Sequence, residues 1–346
     1  MPSFDLSVRT ALALVLALTV VLGTGVLWYT DGAVGAEPTR IDGCTTISEP
    51  GRYVLTADLL DRDASTCIGV RSSDVVLDGA GHRIDGRGTF GTAGVVVRRS
   101  EAGRAVLSNV TVRDVVVTDW DDGIRFVDVD GGRVASTTTA GNRVGLSLLD
   151  ARRIAVVDSL ARSNRLRGIS LFEESADNTL RNNTASGNDL FGIHLVEPGV
   201  RNNTLVGNTA SDNEYGVVLV GAADNGLTGN EASGNRIAGI WLSAASGNDV
   251  SGNVVANRFY GIFLSDRSGR NVVANNTAGP NAVGIRLRSA DNNVVEDNAV
   301  RSSSDTAILL VSSDRNRVVD NVGTGNARGV SQVRSAGNEV VNNSVG

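Results

Sequence analysis

One short motif, a glycine followed by an aliphatic, a variable and a second aliphatic residue, recurs through most of the chain at steps of 22 to 24 residues. A period of this length is typical of repeat proteins, in which each unit buries its apolar side chains by stacking on its neighbours. The copies begin at Gly123, Gly145, Gly168, Gly192, Gly216, Gly239, Gly261, Gly284, Ala307 and Gly329, with a less regular copy at Gly94.

Asparagine recurs in phase with this glycine, at nearly constant offsets before it. Asn and Gly accept the left-handed backbone of tight corners, and an Asn amide can bond its counterpart one repeat away. No stretch of ten residues has the helical period. The sequence therefore predicts an all-β fold, a single-stranded right-handed parallel β-helix of about ten coils. The in-phase asparagines are Asn178, Asn183, Asn188, Asn225, Asn230, Asn235, Asn248, Asn253, Asn257, Asn316, Asn321 and Asn326.

Composition excludes several other classes of protein. Glycine supplies 41 of 346 residues, which disfavours a helical bundle because each helical glycine costs ~1 kcal/mol. Glycine does not recur at every third position, so collagen is excluded. The net charge of -6 disfavours a nucleic-acid partner. All 32 basic residues are arginine, which excludes lysine Schiff-base and P-loop chemistry.

The first 36 residues are predicted to be a targeting segment. Ala11 to Tyr29 form an apolar run of 19 residues between Arg9 and Asp31, and a small-residue cleavage site follows at 34–36. The run is long for a signal peptide and just long enough to span a bilayer. A cleaved signal peptide and a retained membrane anchor both remain open. Either places the rest of the chain outside the cytoplasm, secreted or at the cell surface.

The remainder divides into two regions. Residues 37–93 are predicted to form an N-terminal cap with the first strands, because an uncovered solenoid end exposes pairing edges. Residues 94–346 are predicted to form the β-helix coils. Cys44 and Cys67 are the only cysteines, and in an oxidising compartment we expect them to form one disulfide. Two buried free thiols are the alternative.

Residues 73–86, with the sequence Ser-Asp-Val-Val-Leu-Asp-Gly-Ala-Gly-His-Arg-Ile-Asp-Gly, resemble the NosD-type β-helix family of the pectin-lyase-like superfamily, as do the coils that follow. The resemblance covers roughly residues 41–346 and implies the β-helix architecture. It implies no single activity, because the superfamily includes lyases, hydrolases, epimerases, adhesins and metal-site maturation proteins.

The copper role associated with the family's name is not expected in this chain. Copper is typically bound by His, Cys and Met side chains. The single methionine is the initiator, and the two cysteines are expected to pair with each other. His82 and His194 are the only histidines, and the repeat places them at least four coils apart, roughly 19 Å.

Alignment on the motif glycine brings aromatic residues into two columns, one directly before the glycine and one at the variable position. The variable residue is expected to point outward, because the aliphatic residues on either side of it point inward. Aromatic faces at a regular rise suit the apolar faces of sugar rings, and cross-coil stacking that merely covers the sheet is the alternative. The predicted carbohydrate-binding residues are Phe191, His194, Tyr215, Trp241, Tyr260 and Phe263, with Trp241 the most clearly outward.

A further column, five residues after the glycine, is acidic in four successive coils. Stacked carboxylates repel one another unless a cation or an arginine lies between them. Calcium is the candidate ion, since hard cations prefer oxygen ligands. A solvated corner with Arg152 and Arg153 as partners is the alternative. The four candidate ligands are Asp128, Asp150, Glu173 and Glu197.

Paired carboxylates precede the first regular motif, in the segment Asp-Trp-Asp-Asp-Gly-Ile-Arg at 119–125. With a nearby arginine they could support glycosidic cleavage or proton abstraction from a uronate. The segment resembles the paired-Asp segment of polysaccharide-cleaving β-helix enzymes. However, Gly-His-Gly, Arg-Ile-Lys and the Asp-Pro-His-Asp motif of alginate epimerases are absent. The catalytic candidates are Asp119, Asp121, Asp122 and Arg125.

The function predicted from these features is an exported surface β-helix protein that binds a polysaccharide or a glycoprotein glycan along its lateral face, without an assembled catalytic site. A lyase, hydrolase or epimerase acting on an acidic polysaccharide is the first alternative. A purely structural surface spacer is the second. Attachment to a membrane through residues 11–29 is compatible with all three.

Overall fold

The computed structural model describes residues 37–99 and 105–346. Residues Pro38–Gly346 form one compact unit. In the described part the only regular structure is β-strand, and no helix there is long and apolar enough to span a bilayer. The apolar run from Ala11 to Tyr29 lies outside the described residues.

The strands are short and follow one another closely along the chain. The first twelve are β1 (Thr39–Ile41), β2 (Thr45–Ile47), β3 (Gly51–Leu55), β4 (Thr66–Val70), β5 (Val75–Asp78), β6 (Arg83–Asp85), β7 (Ala93–Arg98), β8 (Val110–Arg113), β9 (Val116–Thr118), β10 (Asp122–Val127), β11 (Asp130–Ala135) and β12 (Thr138–Ala140). The next twelve are β13 (Val144–Leu149), β14 (Arg152–Val157), β15 (Leu160–Arg162), β16 (Arg167–Phe172), β17 (Thr179–Arg181), β18 (Thr184–Ser186), β19 (Phe191–Val196), β20 (Thr204–Val206), β21 (Thr209–Ser211), β22 (Tyr215–Val220), β23 (Gly226–Thr228) and β24 (Glu231–Ser233). The last are β25 (Ala238–Ser243), β26 (Asp249–Ser251), β27 (Val254–Ala256), β28 (Tyr260–Ser265), β29 (Val272–Ala274), β30 (Thr277–Ala278), β31 (Asn281–Arg288), β32 (Val294–Glu296), β33 (Ala299–Val300), β34 (Ser303–Val311), β35 (Arg317–Val319), β36 (Val330–Val333) and β37 (Glu339–Val341).

The strands form three sheets in which every pairing between neighbours is parallel. The first sheet has the order β1-β3-β5-β8-β11-β14-β17-β20-β23-β26-β29-β32-β35-β37. The second has the order β2-β4-β7-β10-β13-β16-β19-β22-β25-β28-β31-β34-β36, and the third runs from β6 to β33 through β9, β12, β15, β18, β21, β24, β27 and β30. Because the chain visits the sheets in turn, the fold is a right-handed parallel β-helix. The predicted fold class is confirmed.

The described β-helix has about thirteen turns rather than about ten. Strands β2 and β4 extend the second sheet before the first glycine motif. The segment Thr66–Val70 reads Thr-Cys-Ile-Gly-Val, in which no glycine precedes the aliphatic pair. A search for the glycine motif therefore misses these turns. Residues 37–93 contain β1 to β6, all of which pair within the three sheets.

The core consists of the two aliphatic positions of each motif together with one residue from each shorter strand. In register, Ile193 pairs with Val217, and Val217 with Ile240. These side chains are fully buried in one continuous cluster along the β-helix. Burial of such a side chain contributes about 2 kcal/mol relative to exposure, so the stacked coils are stabilised by a core that no single coil could form.

The motif glycine is required by close packing between coils. A Cβ atom added to Gly216 would lie 2.5 Å from the carbonyl oxygen of Gly239 and 2.8 Å from the Nδ2 atom of Asn235. Both distances are below van der Waals contact, and a backbone carbonyl cannot move aside cheaply. Glycine recurs at this position because the backbone of the next coil and a buried Asn occupy the space of a side chain.

The predicted asparagines form three buried ladders, one at each corner between sheets. Asn230 is typical. Its Nδ2 donates to the carbonyl of Leu205 at 2.9 Å and to Oδ1 of Asn253 at 3.0 Å, and its Oδ1 accepts from N and Nδ2 of Asn208, both at 2.9 Å. The predicted bonding of each amide to the next coil is confirmed. The first ladder contains Asn178, Asn203, Asn225, Asn248, Asn271, Asn293, Asn316 and Asn338. The second contains Asn183, Asn208, Asn230, Asn253, Asn276, Asn298, Asn321 and Asn343. The third contains Asn142, Asn164, Asn188, Asn213, Asn235, Asn257 and Asn281.

The left-handed backbone lies one residue before the ladder asparagines. In one coil, Asp177, Asn182 and Gly187 have φ values of 58°, 56° and 60°, and each directly precedes a ladder residue. The sequence predicts that Asn or Gly adopts the left-handed turn and that the same Asn bonds the next coil. In the structure two adjacent residues have these roles. The residue with positive φ faces solvent, and the Asn that follows it faces the interior and bonds the next coil.

Cys44 and Cys67 form a disulfide with a Cα–Cα distance of 4.4 Å, as predicted, and the described residues contain no free cysteine. Cys44 directly precedes β2 and Cys67 lies in β4, so the bond links the first two turns of the second sheet. In the loop-entropy model, closing a loop of this length stabilises the fold by about 3 kcal/mol.

Candidate binding face on the second sheet

The outer face of the second sheet is formed by three columns of side chains. Its six-residue strands project their first, fourth and sixth residues outward, while the third and fifth point into the core. Parallel register stacks these positions from coil to coil. The first column contains Asp122, Val144, Arg167, Phe191, Tyr215, Ala238 and Tyr260; the second contains Arg125, Ser147, Ser170, His194, Val218, Trp241, Phe263 and Arg286; the third contains Val127, Leu149, Phe172, Val196, Val220, Ser243, Ser265 and Arg288.

Aromatic side chains in these columns form a continuous run across five strands, β16 to β28. We call it the aromatic stripe and define it as Phe172, Phe191, Tyr215, Trp241, Tyr260 and Phe263. Ring centroids are separated by 5.6 Å between Phe191 and Tyr215, 5.0 Å between Tyr215 and Trp241, and 6.2 Å between Trp241 and Phe263. Tyr260 lies 4.9 Å from Phe263. The sequence-predicted binding residues are therefore neighbours in one surface.

The second column is more buried than the sequence suggested. His194 is 4% exposed, Phe263 7% and Ser170 0%. The reason is that longer side chains from the first and third columns lie over this middle column. His194 is covered by Phe191, whose ring stacks on the imidazole at 4.3 Å, and by the edge of Phe172 at 6.3 Å. Phe191, Tyr215, Trp241 and Tyr260 remain half-buried, so the stripe has both ring-on-ring packing and an outer surface.

Trp241 is held in place by a polar network that sequence reasoning missed. Its Nε1 donates to Oγ of Ser265 at 2.9 Å, and the Ser265 hydroxyl donates to Oδ2 of Asp266 at 2.7 Å. Ser243 donates to the same oxygen at 2.8 Å. The bond from Ser265 is the main reason that the pKa of Asp266 is lowered. Ser243 and Ser265 occupy the third column, so extending the glycine alignment to that position would have found them.

Arginines flank the stripe at both ends. At one end the guanidinium of Arg167 lies 5.2 Å from the ring centroid of Phe172 and 6.0 Å from that of Phe191. At the other end Arg286 lies 5.0 Å from Tyr260 and 5.5 Å from Phe263. Cations over ring faces are attracted by the ring quadrupole, and here they add positive charge to both ends of an apolar surface.

A cavity of about 240 Å³ adjoins the stripe at its β10–β16 end. We call it the arginine pocket. It combines three guanidinium groups with one carboxylate, a hydroxyl and an aromatic ring. The lining residues are Asp122, Arg125, Arg143, Val144, Ser147, Leu149, Arg167 and Phe172. Arg143 and Arg167 were not among the predicted site residues.

Of the predicted catalytic carboxylates, Asp122 lines this pocket, and Asp121 is bonded to the lining residue Arg143. Asp122 accepts a hydrogen bond from Arg125 at 3.3 Å, and burial raises the pKa of Asp122. Asp121 accepts bonds from Arg143 and from the backbone N–H of Gly91 at 3.0 Å. Burial opposes ionisation of Asp121, but the bonds from Arg143 and Gly91 lower its pKa overall.

Asp119 interacts with a different set of groups. Its pKa is raised by burial and by the neighbouring carboxylate of Asp85, while the charge of Arg165 acts in the opposite direction. Asp119 has a φ of 58°, so it occupies a corner position and precedes the strand. The structure thus groups Asp121, Asp122 and Arg125, and places Asp119 among other partners.

Several buried polar atoms along the middle column have no hydrogen-bond partner. They are Oγ of Ser147, Oγ of Ser170, both ring nitrogens of His194 and Nε of Arg286, and Nε of Arg167 in the adjoining first column also has no partner. Burial and the charge of Arg167 lower the pKa of His194 to about 3, so the imidazole is neutral at physiological pH. Unsatisfied buried polar groups are costly, and this run of them marks the face as unusual within the fold.

The acidic column occupies a different corner. Asp128, Asp150, Glu173 and Glu197 follow strands of the second sheet and have φ values of 58°, 50°, 54° and 93°. A hydrogen bond between Glu173 and Asp150 raises the pKa of Glu173. The expected partner Arg152 instead lies 3.6 Å from Glu174, and Arg153 pairs with Asp130.

Within the described ranges, no three His, Cys, Asp or Glu side chains are arranged to hold a metal ion. Calcium binding at the acidic corner remains a prediction from the sequence. If calcium is bound there, a chelator will lower the melting temperature by several degrees. An unchanged melting temperature would remove the prediction.

Comparisons with known proteins match this description. A model of the right-handed β-helix region matches residues 60–204 and 93–255, together more than half of the chain. A model described as periplasmic copper-binding protein (NosD) matches residues 220–346. None of the curated proteins is similar to the chain in sequence.

Solved structures share the fold at low sequence identity. The A-module of a mannuronan C-5 epimerase from Azotobacter vinelandii is 15% identical over 84% of this chain and 80% of that one, with a TM-score of 0.59. The Dettilon tailspike protein is 16% identical over 84% and 60%, with a TM-score of 0.59. A DFA-IIIase from Arthrobacter chlorophenolicus is 14% identical over 84% and 83%, with a TM-score of 0.53.

Proposed function

The chain belongs to the right-handed β-helix family, and we propose that the outer face of its second sheet binds a polysaccharide along the aromatic stripe. The observation that carries the proposal is the stacking of Phe191, Tyr215, Trp241 and Phe263 in register across four coils. Each sugar ring has an apolar face of C–H groups, and aromatic rings suit such faces. A ligand lying along the stripe meets one strand about every 4.8 Å.

Two features of the stripe favour binding over simple coverage of the sheet. Trp241 is half-buried, and its indole N–H is already bonded to Ser265, so the ring is oriented before any ligand arrives. Preorganised aromatic rings lose little side-chain entropy on binding. Phe259, beside Tyr260 at 6.4 Å, is 43% exposed and extends the apolar surface.

Two other features support a location outside the cytoplasm. The disulfide between Cys44 and Cys67 suits an oxidising compartment, and the NosD model that matches residues 220–346 is described as periplasmic. The solved neighbours named above include an epimerase of mannuronan, a polysaccharide. We therefore propose an exported protein that is secreted or held at the cell surface, with a polysaccharide or glycoprotein glycan as partner.

The chain does not fit a copper-binding role. Residues 220–346, the segment that the NosD model matches, contain no His, Cys or Met. The two cysteines of the chain are joined in a disulfide. His82 lies between β5 and β6, whereas His194 lies in β19, four coils further along the β-helix, which is about 19 Å at 4.8 Å per strand. The match therefore follows the repeat, and no copper ligand set accompanies it.

A polysaccharide-cleaving or epimerising enzyme is the second candidate function. The observation that favours it is Asp122, a buried carboxylate with a raised pKa beside Arg125, because such a group can act as a general acid or base. A second proton-transfer group is less evident. His194 is covered by aromatic rings, and Asp121 is engaged by Arg143 and Gly91.

Replacing Trp241 with alanine is expected to weaken polysaccharide binding by roughly thirtyfold, or about 2 kcal/mol, because a central aromatic anchor is lost. Trp241→Phe keeps a ring and should retain most of the affinity. Val254→Ala is the control, since Val254 is an exposed apolar side chain of the third sheet. Isothermal titration calorimetry against a panel of soluble polysaccharides measures all three variants.

Each outcome decides between the functions. Equal affinity of Trp241→Ala and the parent protein would contradict binding along the stripe. No binding to any polysaccharide would favour the spacer function. Release of shortened or unsaturated sugars by the parent protein, abolished in Asp122→Asn, would establish the enzyme instead.

A further inference from the structure

We propose that the arginine pocket is an anion subsite, which receives one carboxylate or sulfate group carried by the polysaccharide on the stripe. This inference rests on the proposed function and adds the chemical class of the ligand. It depends on three independent features of the pocket: its charge, its unpartnered donors and its position at the end of the stripe.

The charges of the pocket do not balance. Three guanidinium groups, those of Arg125, Arg143 and Arg167, line the cavity together with one carboxylate, Asp122. A second carboxylate, Asp121, lies outside the lining. Asp122 pairs with Arg125, and Asp121 pairs with Arg143. Arg167 forms no ion pair with a carboxylate within the described ranges, and its Nε has no acceptor. One positive charge is left over in a partly buried position, where a single oxyanion would neutralise it.

Unpartnered donors lie in the same place. Ser147 lines the cavity and is 5% exposed, and its hydroxyl has no partner. Ser170, its register neighbour on β16, is 0% exposed and likewise unpartnered. A hydroxyl can donate to an oxyanion, and charge-assisted bonds of this kind are about twice as strong as neutral ones. Ser170 does not line the cavity, but an oxyanion bound there would give the hydroxyl of Ser147 a partner.

The pocket is continuous with the stripe. Phe172 lines the cavity and belongs to the stripe, and the guanidinium of Arg167 lies over both Phe172 and Phe191. A sugar ring stacked on these two residues would direct a ring substituent toward Arg167. Arg167 is therefore placed to bind the charged substituent, while the aromatic rings contact the sugar ring that carries it.

A carboxylate and a sulfate ester present the same oxyanion chemistry to these groups. The planar fork of an arginine can bind a carboxylate through two parallel hydrogen bonds, and a sulfate through the same two donors. A uronic acid and a sulfated sugar are therefore both admissible ligands. A neutral sugar offers hydroxyl oxygens as acceptors but no negative charge, so it would leave the charge of Arg167 without a counter-charge.

The experiment compares matched polymers that differ only in charge. Polygalacturonate and its carboxyl-reduced form are one pair, mannuronan and β-1,4-mannan a second, and dextran sulfate and dextran a third. Binding of the full chain is measured by calorimetry at low and at 0.5 M salt. We expect the charged member of at least one pair to bind at least about tenfold more tightly than its neutral counterpart, with the preference reduced by salt.

Arg167→Gln should remove most of this preference, and Arg167→Lys should restore part of it, because lysine returns the charge without the fork. Arg181→Gln is the control, since Arg181 lies in the same coil on the exposed face of the first sheet. Thermal melting of each variant verifies that it is folded.

The failures are distinguishable. Equal binding of neutral and charged polymers, or an unchanged preference in folded Arg167→Gln, would overturn the anion subsite and leave binding along the stripe intact. Absence of binding to every polymer would overturn the proposed function itself, and the subsite with it.

Discussion

Replacing Asn230 with alanine is expected to lower the free energy of unfolding by about 4 kcal/mol. Asn230 is buried in the ladder at the corner between the first and third sheets. Its loss leaves the N–H and Nδ2 of Asn208 and the carbonyl of Leu205 without their present partners. A buried polar group without a partner costs about 1–3 kcal/mol, and water cannot enter a corner packed by neighbouring coils without disrupting it.

Urea denaturation followed by circular dichroism measures this loss, with Glu231→Ala as the control. Glu231 is the next residue in the chain, is exposed, and its replacement should change stability by no more than about 0.5 kcal/mol. If Asn230→Ala were as stable as Glu231→Ala, the ladder would be a passive consequence of the repeat rather than a source of stability.

Acidification from pH 7.5 to pH 4.5 is expected to cost about 2 to 3 kcal/mol of stability through His194 alone. Burial and the charge of Arg167 lower the pKa of this imidazole to about 3 in the folded protein, whereas the unfolded value is about 6.5. Between these values the unfolded chain binds a proton at His194 that the folded protein excludes. The contribution of His194 to the free energy of unfolding therefore falls as the pH falls below about 6.5, and this contribution stops falling near pH 3.

The variant His194→Leu isolates this contribution. Leucine has no titratable group and leaves no unpartnered ring nitrogen among Phe172, Phe191 and Arg167, so we expect the variant to be at least as stable as the parent at pH 7.5. Acidic groups contribute equally to both proteins and cancel in the comparison. If the parent and His194→Leu lost the same stability between the two pH values, the imidazole would not be excluded from protonation in the folded state.

The repeat was sufficient to predict the three-sheet β-helix and the stacking of side chains. Residues about 23 positions apart become register partners, so aligning motif glycines predicted that Phe191, Tyr215 and Tyr260 fall in one column and His194, Trp241 and Phe263 in another. The Asn ladders were found in the same way, because a corner recurs once per coil in each of three places.

Exposure within the columns could not be read from the motif. Whether Ser170 or His194 reaches solvent depends on the length and direction of side chains in adjacent strands, such as Phe172 and Arg167, which lie over the middle column. The third column and its network around Trp241 were missed because the sequence columns were taken one residue before and two and five residues after the glycine, and not four residues after it.

The arginine pocket illustrates a second limit. Arg143 directly precedes its strand and pairs with Asp121, one coil away. An alignment extended one position further before the glycine would have placed these two residues side by side. The alignment could not have shown that Arg167 lacks a carboxylate partner, because that depends on where Asp121 and Asp122 direct their oxygens.

The most direct test of binding along the stripe is fluorescence of Trp241 during titration with a charged oligosaccharide, such as a hexamer of galacturonate or mannuronate. We predict that emission changes saturate at the affinity measured by calorimetry, that the ligand protects the indole from acrylamide, and that both effects vanish in Trp241→Phe, which retains the buried Trp120. Binding detected by calorimetry without any change at Trp241 would show that the polysaccharide lies elsewhere, and would contradict the account.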